Sequence, residues 1–324
     1  MNKRYGIWVV AAMVAGALLW SIPRTSTTTT YPDPAVEVHH VIPWRAGGGT
    51  DAAMRGFMRF FERHLGTRVI TNNVPGGLSS VGLTVVRNAR PDGYTLGTMT
   101  YDALTVEFLD LAPLSWRSFE PICMVTDHPS ALIVAADGWP DIEAFHAAAR
   151  AQPKTIAVGN VGLQGIWHQH AAAMEQALGI ELRHIPYEGG SGPQLAAILG
   201  GEVAAIVSSL PAAMPYVENG DLRVLAVMAE ERQPLVPNVP TFNELDFEVV
   251  YGGFRIVVAP IGTPGDILAT LEAACRNTAE DTAFLEWASG AAIGHSWRDR
   301  AGSIEYLQDL APKVQRLMAE MQSR

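Results

Sequence analysis

Val36-Glu37-Val38-His39-His40-Val41-Ile42-Pro43-Trp44-Arg45-Ala46-Gly47-Gly48-Gly49-Thr50-Asp51 joins an apolar extended run to three glycines, a hydroxyl and a carboxylate. Val36, Val38, Val41 and Ile42 read as a strand, and His39 and His40 alternate across it, so at most one of them faces the core. Beyond Asp51, the residues Met54, Phe57, Met58, Phe61 and Leu65 recur at a helical period that stops at Gly66, which predicts an amphipathic helix. A helix start leaves about four N–H groups unpaired and carries about half a positive charge, and glycines let a guest approach the main chain. A small anion fits there, a carboxylate as well as a phosphate.

On its own this turn reads equally well as a flexible connection in which Thr50 or Asp51 is an N-cap. A second loop of the same kind changes the balance. Asn73-Val74-Pro75-Gly76-Gly77-Leu78-Ser79-Ser80 follows an apolar run at 69–71 and opens another helix with Val81, Val85 and Val86. Two such loops at neighbouring strand ends form a cradle for a ligand. Its expected donors are the main chains of Gly47, Gly48, Gly49, Thr50, Gly76, Gly77 and Ser79, with the hydroxyls of Thr50, Ser79 and Ser80 as adjustable partners. Asp51 is expected to cap the helix, since its carboxylate would repel an anion.

Strands and helices alternate from residue 36 onward, which predicts an α/β protein with mostly parallel sheets and helices on both faces. A second α/β lobe begins near Asp137-Gly138-Trp139-Pro140-Asp141. It includes a helix carrying Trp167, Ala171, Met174 and Leu178 on one face and ending at Gly179. The apolar run from Tyr251 to Pro260 reads as a strand returning to the first lobe. A chain that leaves a lobe and comes back crosses twice, the layout of a hinge-closing binder. The boundaries expected on this reading are 33–133 plus 251–324 for lobe 1 and 134–250 for lobe 2. Gly162, Gln164, Trp167 and His168 sit at a loop-to-helix start that would face the cleft, Trp167 being equally a core anchor. Tyr101 and Phe254 are candidates for closing it, with ordinary packing as their plainer role.

The residues that resemble a known family are Val41 to Asp51, Asn73 to Gly77, Ala89-Arg90-Pro91-Asp92-Gly93-Tyr94-Thr95-Leu96 and Ile185-Pro186-Tyr187-Glu188-Gly189-Gly190. They continue through Leu199-Gly200-Gly201-Glu202, Val236-Pro237-Asn238-Val239-Pro240-Thr241 and Ala259-Pro260-Ile261-Gly262-Thr263-Pro264. In this order they resemble the periplasmic substrate-binding proteins of tripartite tricarboxylate transporters, the TctC or Bug family. The likeness covers nearly all of the chain after about residue 32. It implies a two-lobe, type II-like Venus flytrap fold and a small carboxylate held between the lobes by two glycine loops, partly through bridging water. It also implies a monomer that delivers its solute to membrane permease subunits, with no cofactor. Leu78 stands where the family's second loop runs on in glycine and alanine, and Ala204 stands where an aspartate is usual. Both departures bear on which solute fits.

Of 324 residues, 48% are hydrophobic and 17% charged, which suits a well-filled α/β core. The net charge of −10 becomes −13 without residues 1–30, which hold three bases and no acid. Nucleic acid is excluded as a partner for such a chain. Lys3 and Arg4 precede the 16 uncharged residues Tyr5 to Trp20, short of the roughly 20 needed to span a bilayer. Residues 1–30 are therefore expected to be an export signal or an uncleaved N-terminal anchor, with the remainder periplasmic. Cys123 and Cys275 could form one bridge in an oxidising compartment or remain as two buried thiols. No G-x-S-x-G elbow, G-x-x-x-x-G-K-[ST] loop or H-E-x-x-H pair occurs. His168, His170 and His184 suggest a metal only weakly, because positions i and i+2 of a helix do not face each other. An enzyme is not expected; a hydrolase or lyase acting on a small carboxylate in the same cleft is the alternative.

Overall fold

The computed structural model describes residues 31–187, 190–291, 293–294 and 296–323. The signal or anchor expected over residues 1–30 lies outside them, as do Glu188 and Gly189 of the motif quoted above. No helix among the described residues is long and apolar enough to cross a membrane.

The first segment is a strand, β1 (Val38–Ile42), followed by α1 (Gly49–Leu65), which ends on a left-handed Gly66 at φ 81°. In β1 His39 is exposed and His40 buried, with His40 Nε2 2.8 Å from Thr98 Oγ1. The predicted stripe of α1 is buried throughout. Then follow β2 (Val69–Asn73), α2 (Ser80–Arg87), β3 (Thr95–Thr100), the short α3 (Asp102–Phe108) and the 17-residue β4 (Phe119–Ala135). The middle of the chain runs α4 (Ile142–Ala151), β5 (Ala157–Val161), α5 (Ile166–Leu178), β6 (Arg183–Tyr187), α6 (Ser191–Leu199), β7 (Ala205–Ser209), α7 (Leu210–Glu218) and β8 (Leu222–Val227). The return strand β9 (Gly252–Pro260) leads to α8 (Gly265–Ala279), α9 (Thr282–Gly290) and α10 (Arg300–Gln322).

The strand order is β2-β1-β3-β9-β4-β7-β5-β6, with β8 on β4. The β1–β2, β1–β3, β5–β6 and β5–β7 pairs are parallel, as alternation predicts. The antiparallel pairs all involve β4 or β9, the two segments that cross between lobes. A helix-linked strand returns parallel, whereas a strand that traverses the molecule and comes back must run the other way. Phe119–Pro129 of β4 pairs with β9 in one lobe, and Ser130–Ala135 pairs with β7 and β8 in the other. This long strand is one crossing; the other is the chain at Tyr251–Gly253, where Ser130 N–H donates to Tyr251 O. The crossings touch so closely that a Cβ on Gly252 would lie 2.5 Å from the His128 carbonyl oxygen, leaving room for glycine alone. The result is a mixed α/β protein of two lobes.

Lobe 1 packs β1, β9 and α1 against α8 and α9, with Phe57, Phe61 and Phe284 fully buried. The Cys123 and Cys275 sulfurs are joined in a disulfide between β4 and α8 within this core. Lobe 2 fills both faces of its sheet, with Phe145, Met174 and Phe242 on one side and Leu195, Ile206 and Met214 on the other.

Candidate functional site

Between the lobes lies a cleft of about 670 Å³ counted out to its open mouth. It opens at the C-terminal ends of β1, β3, β5 and β7, where α/β sheets place their ligands. Besides the start of the short α3 at Tyr101 and Asp102, four helix starts border it: Gly48, Gly49 and Thr50 of α1, Ile166 and Trp167 of α5, Gly190 and Ser191 of α6, and Ser209 with Ala212 of α7. Gly48, Gly165 and Gly190 are N-caps without a side-chain hydrogen bond, so no side chain of their own screens those amides. Four dipoles of the same sign converge on one space and favour a negative guest.

The two longest of these starts are braced alike. Gly48 is the N-cap of α1, and Asp51, at the third helical position, accepts from the Gly47 N–H at 2.9 Å. Asp51 thus holds the turn from inside the helix instead of serving as the N-cap residue. Its Oδ1 also accepts from Arg55 Nε and Asn73 Nδ2, both at 2.8 Å, and Asn73 Nδ2 reaches the Trp44 carbonyl at 3.0 Å. Burial pushes the Asp51 carboxyl up, but the bonds from Gly47, Asn73 and Arg55 outweigh it and hold it below the usual carboxylate range. In lobe 2, Gly165 is the N-cap and His168 Nδ1 accepts from the Gln164 N–H at 2.9 Å. Burial, then the neighbouring His184, lowers His168 to about 4, so the ring is neutral and able to accept.

Arg255 is the residue the sequence reading missed. It lines the cleft from β9, half-buried, where its register partners are Thr100 on β3 and Thr126 on β4. Its Nε donates to Thr50 Oγ1 at 3.3 Å, and one terminal nitrogen donates to Thr126 Oγ1 at 2.9 Å and His128 Nδ1 at 3.4 Å. The other terminal nitrogen would be 3.5 Å from a Cβ on Gly49, which places it beside the start of α1. Among the described residues no carboxylate pairs with it. Burial lowers its pKa to about 10, so it stays charged at neutral pH. The available signal was a lone charge inside the apolar run Tyr251 to Pro260.

The cleft also holds Asp102, 3% exposed, whose Oδ1 accepts from the Ile166 N–H across the lobes at 3.2 Å. Burial raises this carboxyl to about 7. Beside it, Tyr101 is fully buried; its hydroxyl donates to Gln169 Oε1 at 3.1 Å, and Gln169 Nε2 donates to Thr105 Oγ1 at 2.7 Å. These bonds tie α3 of lobe 1 to α5 of lobe 2.

Of the residues expected at the site, the structure brings Gly48, Gly49, Thr50, Tyr101, Trp167 and Phe254 to the cleft lining. Gly47, Gly76, Gly77, Ser79, Gly162, Gln164 and His168 are not among the lining residues. The second loop instead folds back on the start of its own helix: the Gly77 and Gly76 carbonyls accept from the Ser80 and Val81 N–H groups, with Leu78 and Ser79 left-handed at φ 51° and 80°. Leu78 packs against the lobe 1 core, and Ala204 is absent from the lining. Trp167 is both anchor and wall, 6% exposed, with Nε1 donating to Ser191 Oγ at 3.1 Å. His168, expected to face the cleft, does not reach its lining. His168 braces its loop, and His170 is fully buried, with Nδ1 2.7 Å from Ser130 Oγ and its ring against Tyr101 and Tyr251. His184, its ring 4.6 Å from that of His168, is held between Asn160 and Glu175.

His40 and His170 are each held down to about 3, against an ordinary 6.5, by burial first. Between those values the unfolded chain takes up protons that the fold refuses, so each contributes a loss of about 1.4 kcal/mol per pH unit as pH falls below about 6.5. Asp102, raised to about 7, opposes this by binding its proton earlier in the fold. His128 and His168, also lowered by burial, act in the same direction as His40 and His170, and Asp127, raised by burial, joins Asp102. With four groups against two, the melting temperature followed by circular dichroism is expected to drop by several degrees between pH 6.5 and 5.0. A flat or rising profile would show that these rings are not held neutral.

Residues 54–322 match the model of the tripartite tricarboxylate transporter family receptor, TctC. The protein BugT of Bordetella pertussis is 29% identical over 292 residues, covering 88% of each chain. The crystal structure of a TctC solute-binding protein from Polaromonas, without ligand, superposes with a TM-score of 0.75 at 30% identity, covering 90% of this chain and 100% of that one. MatC from Rhodopseudomonas palustris, solved with bound malate, shares the fold at a TM-score of 0.77 and 23% identity, over 88% of this chain and 99% of that one. With two lobes around a cleft bordered by helix starts and a match spanning most of its length, this chain belongs to the TctC family of solute-binding receptors.

Proposed function

We propose that the protein is an exported periplasmic receptor that closes on a small carboxylate in the interlobe cleft and hands it to the permease subunits of a tripartite tricarboxylate transporter. It acts as a monomer, without cofactor or chemical turnover. Residues 1–30 direct export or tether the chain, and the lobes divide where β4 passes from β9 to β7 between Pro129 and Ser130, four residues before the boundary at 133 expected from the sequence, and again near Tyr251. The observation that carries this reading is the convergence of Arg255, which no carboxylate among the described residues pairs with, and the α1 start, Gly48 to Thr50, on one space between lobes. A charged guanidinium and a helix start together suit a carboxylate better than any neutral group. The malate in the related MatC structure supports the same solute class.

A ligand that bridges lobes binds the folded protein only, and at about 100 times its Kd it stabilises the fold by about 2.7 kcal/mol. A melting screen against small carboxylates is expected to find acids that raise the transition and are recovered unchanged; recovery of a product would favour the hydrolase or lyase reading. Gly48→Val is expected to abolish the shift while the protein still folds. A Cβ there meets only the Arg45 carbonyl oxygen, at an ordinary 3.5 Å, and its backbone is extended at φ −81°. The added side chain therefore strains nothing and occupies the cleft. A variant that still responds to the best acid would remove the α1 start from the site.

A further inference from the structure

The carboxylate reading leaves one feature of the cleft unexplained: a buried acid borders the same space as the half-buried Arg255. Thr100 and Arg255 are register partners across β3 and β9, and Asp102 follows Thr100 by two residues. Both residues line the cavity, yet their side chains form no ion pair with each other or with any other described residue. Asp102 spends Oδ1 on the Ile166 N–H and, apart from its own main chain, has no further partner. Arg255 is held by two hydroxyls and a neutral ring, all uncharged.

A buried charge without a partner is costly, and a ligand that supplies the partner recovers that cost on binding. A plain monocarboxylate would neutralise Arg255 and leave Asp102 stranded, and a dicarboxylate would set a second negative charge near it. A solute with a carboxylate and an ammonium on neighbouring carbons, or a few carbons apart, satisfies both groups at once. Resting on the carboxylate reading above, we infer that the solute is an aminocarboxylate whose carboxylate takes Arg255 and the α1 start and whose ammonium takes Asp102. Trp167 and Phe254 line the same space and supply apolar surface for its carbon skeleton. Because Asp102 also accepts from the first turn of α5, the ammonium would sit where the lobes meet, so recognition and closure involve the same carboxylate.

The test is titration calorimetry on protein purified from the full chain, with acids matched in pairs that differ by the amine: glutamate against glutarate, 4-aminobutyrate against butyrate, and 2-aminobenzoate against benzoate. The binding members of at least one pair are expected to show a preference of tenfold or more for the amine. Asp102→Asn keeps an acceptor for the Ile166 N–H and is expected to reduce that preference to about threefold or less. Plain acids that bind as tightly as their amino partners, or more tightly, overturn the aminocarboxylate assignment and leave the carboxylate reading standing. If no acid of either kind binds, both fall. The wild-type comparison decides the matter even if the variant fails to fold.

Discussion

Arg255→Gln is expected to weaken binding of the best carboxylate by about 100-fold or more while leaving the melting temperature of the ligand-free protein unchanged or higher. The two halves of this result have one cause. In the free protein the guanidinium is half-buried, surrounded by Thr50, Thr126 and His128, and charged despite a pKa lowered to about 10 by burial. Keeping such a cation desolvated without a counter-ion costs stability, so a neutral amide of similar reach relieves the fold. In the complex the same cation forms hydrogen bonds to a carboxylate, each contributing about 1.5–3 kcal/mol because a charge is involved, and two of them exceed the 100-fold expected. Glutamine can still donate to a threonine hydroxyl, so local packing survives. Calorimetry gives the first half and a ligand-free melt the second. A variant that binds as tightly as the wild type would show that Arg255 is structural, and one that melts much lower would show that its hydroxyl contacts outweigh its desolvation.

How much of this was legible beforehand depended on the range of the interaction that fixes each feature. The helix from Gly49 to Leu65 is written in the spacing of Met54, Phe57, Met58, Phe61 and Leu65, all within a few turns of one another. The glycine turn before it is equally local, and Gly48, Gly49 and Thr50 reach the cleft as the pattern predicts. The second loop carries the same signature, but Leu78 and Ser79 take left-handed backbone that side chains rarely adopt, and the Gly76 and Gly77 carbonyls turn back to accept from Val81 and Ser80. Nothing in its composition separates a turn that reaches the cleft from one that folds back beside it. Arg255 is the opposite case: its charge is conspicuous in β9, yet the face it occupies follows from its register with Thr100 and Thr126, more than a hundred residues away. The antiparallel pairs of β4 and β9 were hidden for the same reason, since alternation describes neighbours in sequence and not the strands that traverse the molecule. The site sits where such long-range pairings meet, so the part of it made by tertiary contacts was the part left unread.

Cysteine pairing is a further case of long range, and its removal is expected to have the largest effect on stability. Cys123→Ala/Cys275→Ala is predicted to destabilise the protein by about 4–5 kcal/mol and to lower its melting temperature by about 10 °C. The bridge joins β4 to α8 across 152 residues, with the Cα atoms 6.4 Å apart and both side chains fully buried. Closing so long a loop removes many conformations of the unfolded chain, which is why the expected loss is near the upper end for one bridge. Its position adds a mechanical consequence. The span of β4 that contains Cys123 pairs with β9 and continues directly into lobe 2, so the bridge anchors the crossing strand to the helical layer of lobe 1. The cleft residues on that strand and its partner, His128 and Arg255, lie beyond the anchor toward the crossing, and the crossing itself is untouched by the substitution. Solute affinity measured well below the new transition is therefore expected to stay within about threefold of wild type. Reductant should lower the melting temperature of the wild type alone and leave the double variant indifferent. Equal sensitivity in both, or a double variant as stable as the wild type, would show that the bridge contributes nothing in solution.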